Sequence, residues 1–372
     1  MSFNWKLFAG IATMTGMIIG AGFLGMPYVI AQSGFLIGLI QIILIGFIIL
    51  VMKLYLGEVL LRTEKTHQLP GLAKIYLGKT GGKIMFYSML LGIYLSSTAY
   101  LLSQGESLSY LFFGNYNYSL HFALGFWTLI SYFVYQGIRA LKKGETIGLI
   151  LVLTIIFLIL ILFSGKIQTN NLLTYHTQKA FLPVGVIMFA FLGFSAIPEA
   201  LRVLRRKEQL MKKAIIIAAT IPIILYALFT LVVIGVNGTS TPEIATIALG
   251  KPFILLGILT IFTAYFGLTM ALRDIYRFDL GYKKSKAWFL ACFIPLILYL
   301  NVHFFKLAGF IEIIGFTGAI FGTINGVMVL LMVRKARKTG KRKPEYTLKL
   351  PPWIIWTLIT TLILGLGFQL LF

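Results

Sequence analysis

The sequence predicts an all-α integral membrane protein with about eleven transmembrane helices. The 372 residues are 59% hydrophobic, and their mean hydropathy of +0.91 is too high for a water-soluble domain of this length. Apolar runs of about 20 residues, the length that crosses the hydrocarbon core as a helix, follow one another along the chain. The gaps leave no room for a sizeable soluble domain, so a single membrane domain over 1–372 is expected.

The predicted spans account for most of the chain. A closed β-barrel, the other architecture that crosses a bilayer, would show alternating segments of about ten residues, whereas these runs are long and unbroken. The eleven spans are predicted at 8–29, 33–61, 84–112, 119–138, 145–164, 179–201, 212–236, 252–278, 285–301, 308–333 and 352–372.

The basic residues follow a pattern typical of membrane topology. Of 33 Lys and Arg residues, 28 precede the first span or lie in every second gap. Because cytoplasmic loops carry the excess of Lys and Arg, the N-terminus is predicted to be cytoplasmic, and eleven spans then place the C-terminus outside. The net charge of +22 therefore needs no nucleic-acid partner. The cluster at 334–343 is interpreted as an anchor to the anionic headgroups of the lipid bilayer.

Glycine and proline interrupt two of the predicted helices near their middles. The first helix contains GMIIGAGFLGMPY at 16–28, and the sixth contains FAFLGFSAIPE at 189–199. These two helices open the halves formed by spans one to five and six to ten, which insert with opposite orientation because five is odd. Glycine and proline also occur in membrane helices simply for close packing. Two breaks at matching positions nevertheless favour an inverted repeat, with a substrate site where the broken helices meet.

The first break is predicted to bind an anionic group. Unwound backbone inside a membrane is tolerated only where a cavity or a ligand satisfies its polar groups. The N–H groups of Gly20, Ala21 and Gly22 lie beside the positive end of the following half-helix and therefore suit a carboxylate.

The second break is predicted to bind a cationic group. Its free carbonyl groups, around Ala190, Phe191 and Gly193, suit an ammonium group. The two breaks together suit a zwitterion.

Five segments resemble the amino acid/auxin permeases and the bacterial hydroxy/aromatic amino acid permeases, within the amino acid-polyamine-organocation superfamily. The first-helix segment has the Gly-x-Gly break and the Leu-x-x-Pro step of these permeases, and the other four are similar to their third, sixth, eighth and tenth helices. The segments are GAGFLGMPY (20–28), TAYLLSQGESLSYLF (98–112), LGFSAI (192–197), FTAYFGLTMALRD (262–274) and GFTGAIFGTINGV (315–327).

This resemblance covers about residues 8–333 and implies a leucine-transporter-like 5+5 inverted repeat. The first repeat would be 1–165 and the second 166–333, with a basic cytoplasmic loop and an extra helix at 334–372. It also implies ion-coupled amino acid uptake by alternating access, with no cofactor besides the coupling ion, H⁺ or Na⁺.

A sodium site is one way to couple transport. In sodium-driven members of this fold, a cation lies between the first break, here Ile19, and adjacent hydroxyl side chains of the eighth helix. Thr263 occupies the first of those hydroxyl positions, but Ala264 follows it. Thr260, one turn earlier, could supply the missing oxygen, or both threonines could bond their own helix backbone.

Proton coupling would need an ionisable group within a span. The candidates are Glu106, Glu199 and Glu312, and Glu199 is the strongest because it directly follows the second break. All three also lie near predicted helix ends, where a carboxylate is tolerated as an interfacial group. Lys53 is expected to snorkel towards the cytoplasmic face.

Selectivity for the substrate side chain is expected from the third and sixth helices. Tyr94, Ser97, Phe189 and Phe194 are the candidate lining residues, although aromatic residues in membrane helices also serve simply in packing. The sequence offers no metal cluster: Cys292 is the only cysteine, and the four histidines are scattered.

Two functions agree with these features. The first is a secondary transporter of neutral amino acids in the plasma membrane, with no obligatory protein partner. The second is a nutrient sensor on the same fold that binds without transporting, as in spore germination receptors. An enzyme is disfavoured because no HExxH or GxSxG motif is present, and an ATP-driven pump because there is no phosphate-binding loop.

Overall fold

The computed structural model describes residues 4–65, 67–137, 154 and 157–371. Apart from one isolated bridge between Gly34 and Tyr175, these residues contain no β-structure, which confirms the all-helical prediction for them. The principal helices are α1 (Trp5–Ile18), α2 (Gly22–Ser33), α3 (Phe35–Leu61), α4 (Leu69–Phe113), α5 (Ser119–Gln136), α6 (Phe157–Lys166), α7 (Leu182–Phe191), α8 (Ala196–Val203), α9 (Met211–Asn237), α10 (Lys251–Asp274), α11 (Lys284–Phe305), α12 (Phe310–Thr339) and α13 (Pro352–Leu371).

Eight helical stretches in the described residues are long and apolar enough to cross a membrane, or nine if the bent pair α1 and α2 is counted as one span. The prediction of eleven spans is thus supported only in part. The span predicted at 119–138 corresponds to α5, whose serine, tyrosine and histidine residues reduce its hydropathy. Most of the span predicted at 145–164 lies outside the described residues.

The first predicted break separates α1 from α2. The axes of the two helices differ in direction by 54°. Helix α1 ends at Ile18 and is followed by the capping residue Ile19. Gly22 begins α2 without a side-chain cap, so the first N–H groups of α2 lack side-chain acceptors. Pro27 lies within the first turns of α2, where it adds no further break.

The second predicted break separates α7 from α8. Helix α7 ends at Phe191, and Gly193 has a φ of +103°, a conformation that side chains with a Cβ rarely adopt. Helix α8 then begins at Ala196. Both interruptions read from the sequence are therefore present at the expected residues.

The two broken helices lie at the centre of the helical packing. Helix α2 packs against α7, while α12 packs against α4 and α7. A side chain at Gly318 in α12 would collide with the carbonyl oxygen of Gly185 in α7, so glycine permits this close approach. The breaks are thus enclosed by intact helices.

Helix α3 runs beside this centre and packs against α9, α12 and α7. Its carboxylate Glu58 is fully buried and accepts two hydrogen bonds from Arg337, each 2.9 Å long. Arg62 and the backbone N–H of Leu348 donate to the same carboxylate, each at 3.0 Å. These bonds tie the end of α3 to α12 and to the segment that follows it.

Candidate functional site

The two breaks are in direct contact. A Cβ atom at Gly22 would lie 2.6 Å from the Cα atom of Ala190, so the first break packs backbone to backbone against the end of α7. A Cβ atom at Gly193 would lie 3.1 Å from the Ile18 side chain. The absence of side chains at Gly22 and Gly193 therefore lets the two interrupted helices meet.

One side chain links both breaks. The hydroxyl of Tyr226, in α9, lies 3.1 Å from the carbonyl oxygen of Ala190 and 3.3 Å from that of Ile18, and its single proton is shared between them. The Tyr226 ring packs against Phe23 and Phe191, with centroid distances of 6.0 and 5.1 Å. The interrupted ends of α1 and α7 are therefore held at a fixed separation.

The Tyr100 hydroxyl lies at the first break. A Cβ atom at Gly20 would be 2.6 Å from this oxygen, and the N–H of Ala21 also interacts with it. The hydroxyl is thus next to the backbone donors that the sequence assigned to a carboxylate. Gly20, Ala21 and Gly22 are buried.

The carbonyl groups of the second break already accept hydrogen bonds from side chains. Tyr226 donates to the oxygen of Ala190, and the ammonium of Lys53 donates to the oxygen of Phe191 at 3.0 Å. Lys53 is only 1% exposed, so the expectation that it snorkels to the cytoplasmic face is wrong. The free carbonyl at the end of α7 attracts the ammonium into the protein interior.

A cavity of about 520 Å³ adjoins the breaks. Its size falls within the range of small-molecule sites. The wall combines apolar side chains with a few polar groups. It includes the apolar or aromatic residues Met17, Tyr100, Phe189, Phe194 and Phe321, the break residue Gly193, and the polar residues Ser88, Ser96, Thr317 and Asn325.

The mouth of the cavity is polar. Glu199 and Arg202 form an ion pair of 2.8 Å there, with side chains 25% and 51% exposed. Gln68 donates to the same Glu199 oxygen at 3.0 Å. Glu199, the leading proton-coupling candidate of the sequence, therefore lies at the entrance of the cavity rather than at the breaks.

Of the four residues predicted from the sequence to select the substrate side chain, Phe189 and Phe194 lie on the cavity wall. The Tyr94 hydroxyl instead bonds the Tyr276 hydroxyl and the carbonyl of Leu290, on the far side of α4. Ser97 is fully buried, and its hydroxyl has no partner among the described residues. Ile93 and Ser96, one residue earlier in each case, line the cavity instead, because one position turns a helical side chain by about 100°.

The threonines of the predicted sodium site bond their own helix. Thr260 donates to the carbonyl of Leu256 at 2.8 Å, and Thr263 donates to that of Thr260 at 3.0 Å. Ala264 of α10 lies at the first break, because its methyl group would be 3.6 Å from a Cβ atom at Gly20. Ile19, the expected backbone contributor, directly follows the last residue of α1.

The other two carboxylate candidates lie away from the cavity. Glu312 accepts from the backbone N–H of Gly309 at 2.6 Å and caps the start of α12. Glu106 lies near the end of α4, at the opposite end of the helix from Gln68.

In the loop before α10, burial and the nearby Glu312 carboxylate raise the pKa of Glu243.

Several residues of the site were not identified from the sequence. Tyr100 and Tyr226 reach the breaks from helices that the sequence places elsewhere, and Ser88 donates to Asn325 at 3.0 Å across α4 and α12. Lys53 carried a usable signal, because it is a charged residue inside an apolar stretch, and such residues are by default functional candidates.

The known proteins to which this chain is similar are amino acid transporters. The profile of the tryptophan/tyrosine permease family matches residues 4–252, roughly two thirds of the chain. Glutamine transporter 2 of Aliivibrio fischeri is 24% identical over 360 residues, covering 90% of this chain and 90% of the relative. Tyrosine-specific transport system 1 of Haemophilus influenzae is 24% identical over 386 residues, covering 95% of this chain and 92% of the relative.

A second Haemophilus influenzae protein, tyrosine-specific transport system 2, is 28% identical over 245 residues, with 63% of this chain and 59% of the relative covered. The family and these relatives are transport proteins and not enzymes, in agreement with the apolar helices. The chain therefore belongs to the tryptophan/tyrosine permease family and is a multi-pass membrane protein of amino acid transport.

Proposed function

We propose that the chain is a secondary active importer of neutral amino acids that binds its substrate at the α1–α2 and α7–α8 breaks. The observation that carries the proposal is the contact of Gly22 with Ala190 beside the 520 Å³ cavity. Two unwound helices that meet at one cavity offer both N–H and C=O groups to a single small zwitterion. The proposed architecture is the eleven-helix, 5+5 inverted repeat over 1–165 and 166–333.

The backbone groups would hold the part common to all amino acids. The carboxylate would lie against the N–H groups of Gly20, Ala21 and Gly22, where the Tyr100 hydroxyl is a further donor. The ammonium would bind the carbonyl groups of the second break. Each carbonyl oxygen has two lone pairs, so a bond from Tyr226 leaves acceptor capacity on Ala190.

The side chain of the substrate would extend along the cavity wall. Phe189, Phe194 and Phe321 offer apolar contacts, while the Ser88–Asn325 pair offers a polar one. The two carboxylates on the described wall, Glu199 and Asp274, are already paired with Arg202 and Arg273, which favours neutral substrates. The names of the glutamine and tyrosine transporters among the relatives agree with a neutral substrate.

The cavity would open to the cytoplasm in this conformation. Its mouth, at Gln68, Glu199 and Arg202, lies beside the basic segments 62–83 and 202–213, which the positive-inside rule assigns to the cytoplasmic side of the plasma membrane. Transport by alternating access then requires a second conformation, in which this mouth is closed and the other side is open. The coupling ion is H⁺ or Na⁺.

The proposal is tested with the purified protein in proteoliposomes. Pooled radiolabelled amino acids are offered while a Na⁺ gradient and a H⁺ gradient are imposed separately. Accumulation under either gradient, with counterflow of labelled substrate, is the expected result. Deconvolution of the pool then identifies the substrate.

The same experiment distinguishes the sensor. A sensor on this fold would bind amino acids with neither accumulation nor exchange, and it would require partner subunits to respond. Binding without any flux under either gradient would therefore replace the transporter with the sensor.

A further inference from the structure

The Lys53 ammonium lies at the end of the broken helix α7. Its Nζ atom donates to the carbonyl of Phe191, the last residue of that helix, and the side chain is 1% exposed. A helix end carries partial negative charge and free carbonyl groups, so an ammonium placed there acts as a cap. Lys53 thus replaces, from a neighbouring helix, one of the hydrogen bonds that the break removes.

No described carboxylate pairs with Lys53. It is absent from every ion pair among the described residues, and a lone carbonyl satisfies only one of its three N–H donors. A buried charge without a counter-ion is costly, and such a group readily becomes neutral instead. A lysine so placed can gain and lose a proton within the cycle of the protein.

Two titratable groups near Lys53, Glu58 and Tyr226, form hydrogen bonds with other residues. Glu58, on the same helix, is bound by Arg337 and Arg62, and the Tyr226 hydroxyl is bound to Ala190 and Ile18. Helix α7 has no titratable residue. The remaining titratable residues on α3 and on helices packed against it are Tyr28, Tyr55, Glu199, Arg202, Lys212, Lys213, Glu312, Arg334, Lys335 and Lys338.

The route from Lys53 to the cavity is short. Leu192 and Gly193, which follow Phe191 directly, line the cavity. The carbonyl that the amine binds is therefore one residue away from the cavity wall. A change at the break on substrate binding would also change the cap.

The alternative ion site lacks one of its expected ligands. Thr260 and Thr263 keep oxygen lone pairs while they donate to their own helix, but Ala264 faces the first break without an oxygen. Hard cations such as Na⁺ need several oxygen ligands. The break region thus holds the Lys53 ammonium, whereas the sodium site expected beside it is incomplete.

We propose that Lys53 carries the coupled proton of transport, an inference that rests on the proposed function. The lone pair of the neutral amine binds one proton on the side of high proton activity, and the ammonium caps α7 while substrate is bound. After the transition, the ammonium releases that proton to water on the other side and returns to the neutral amine. One proton and one net positive charge cross with each zwitterionic substrate.

The test compares gradient-driven accumulation with exchange in proteoliposomes free of Na⁺. Pooled radiolabelled amino acids serve as the probe, and the membrane potential is clamped. With one proton per substrate, an inside-alkaline gradient of about one pH unit supports roughly tenfold accumulation. The reason is that a tenfold ratio of proton activity and a tenfold ratio of substrate concentration across the membrane have the same free energy. The wild type and Lys179→Met, which removes an exposed lysine bonded to Gln32, should both reach this level.

Three variants of Lys53 should separate the two activities. Lys53→Met and Lys53→Gln remove the proton-binding amine, whereas Lys53→Arg keeps the charge and a donor for Phe191 in a group that stays protonated. All three should exchange labelled substrate at equal pH but should lose the accumulation driven by the pH gradient. Lys53→Arg decides the question if the neutral variants are not recovered in folded form.

Each other result is informative. Tenfold accumulation by any Lys53 variant overturns the inference and leaves the proposed function intact, as does accumulation by the wild type under a Na⁺ gradient alone. Folded variants that lose exchange together with accumulation would assign Lys53 a purely structural role, which also overturns it. A wild type without exchange or accumulation would refute the proposed function itself.

Discussion

The Tyr226 hydroxyl donates to the carbonyl oxygen of Ala190 at 3.1 Å, and the carbonyl of Ile18 shares the same proton at 3.3 Å. An intact helix, α9, thereby fixes the distance between two interrupted helices. A substrate that binds both breaks must fit this distance. The packing of α9 therefore helps to determine the distance between the groups that would bind the substrate.

Tyr226→Phe should remove the hydrogen bonds to Ala190 and Ile18 but keep the ring contacts to Phe23 and Phe191. Two buried carbonyl groups lose a donor, at a cost of about 1–3 kcal/mol in the free energy of unfolding. The thermal unfolding midpoint in detergent and the affinity for substrate should both fall. Tyr132→Phe, at a site 57% exposed on α5, is the control and should change neither quantity.

Gly22→Ala should impair binding even though it adds one methyl group. The new Cβ atom would lie 2.6 Å from the Ala190 backbone, so the breaks would have to separate. We expect substrate affinity to fall by roughly tenfold or more, since one such factor corresponds to about 1.4 kcal/mol. Equilibrium binding measures the effect. Gly125→Ala, where a Cβ atom meets nothing within 4 Å, should bind as the wild type does.

The larger change Gly22→Leu should abolish binding for the same reason. A folded Gly22→Leu protein with undiminished affinity would refute the substrate site at the breaks.

Asn325→Leu should change selectivity more than total transport. The Asn325 side chain lines the cavity and accepts from Ser88 at 3.0 Å, so it can bond a polar group of the substrate. Competition by tyrosine relative to phenylalanine should fall about three- to tenfold, the equivalent of one neutral hydrogen bond. The control is Asn301→Leu, because that amide is exposed and bonds its own helix at Ile297. An unchanged ratio would place the substrate side chain elsewhere in the cavity.

Arg337→Met should destabilise the protein strongly. It leaves Glu58 buried with only Arg62 and the Leu348 N–H as donors. Removing one partner of a buried ion pair costs about 3–5 kcal/mol in the free energy of unfolding. The double variant Glu58→Met, Arg337→Met removes the uncompensated charge, so its unfolding midpoint should exceed that of the single variant. A double variant less stable than Arg337→Met would contradict the pairing.

Glu243 should give the protein a stability that depends on pH. Burial and the Glu312 carboxylate raise its pKa, so the folded protein binds the proton more tightly than the unfolded chain does. This contribution to stability is complete below the ordinary glutamate pKa and is lost as pH rises through the raised value. Glu243→Gln should therefore unfold at a slightly higher temperature than the wild type at pH 7, with the difference shrinking towards pH 4. Equal midpoints throughout would show that Glu243 ionises without cost.

The sequence located the breaks because their cause is local. Gly20, Gly22 and Gly193 interrupt apolar stretches, and glycine in such a stretch weakens a helix wherever the rest of the chain lies. The helical class and most spans follow in the same way, because each depends on about 20 consecutive residues. The sequence therefore predicted where the chain unwinds.

The sequence could not predict which side chains bond the backbone of the breaks, because these residues are distant from the breaks in the chain. Lys53 bonds Phe191 across 138 positions, and Tyr226 bonds Ile18 across 208. No local rule distinguishes a lysine that snorkels from one that caps another helix. An error of one residue in helical register selected Tyr94 and Ser97, whereas Ile93 and Ser96 line the cavity. By itself the sequence determined the membrane helices and their two interruptions; the tertiary structure alone decided which buried side chains meet there, because those contacts depend on how whole helices pack.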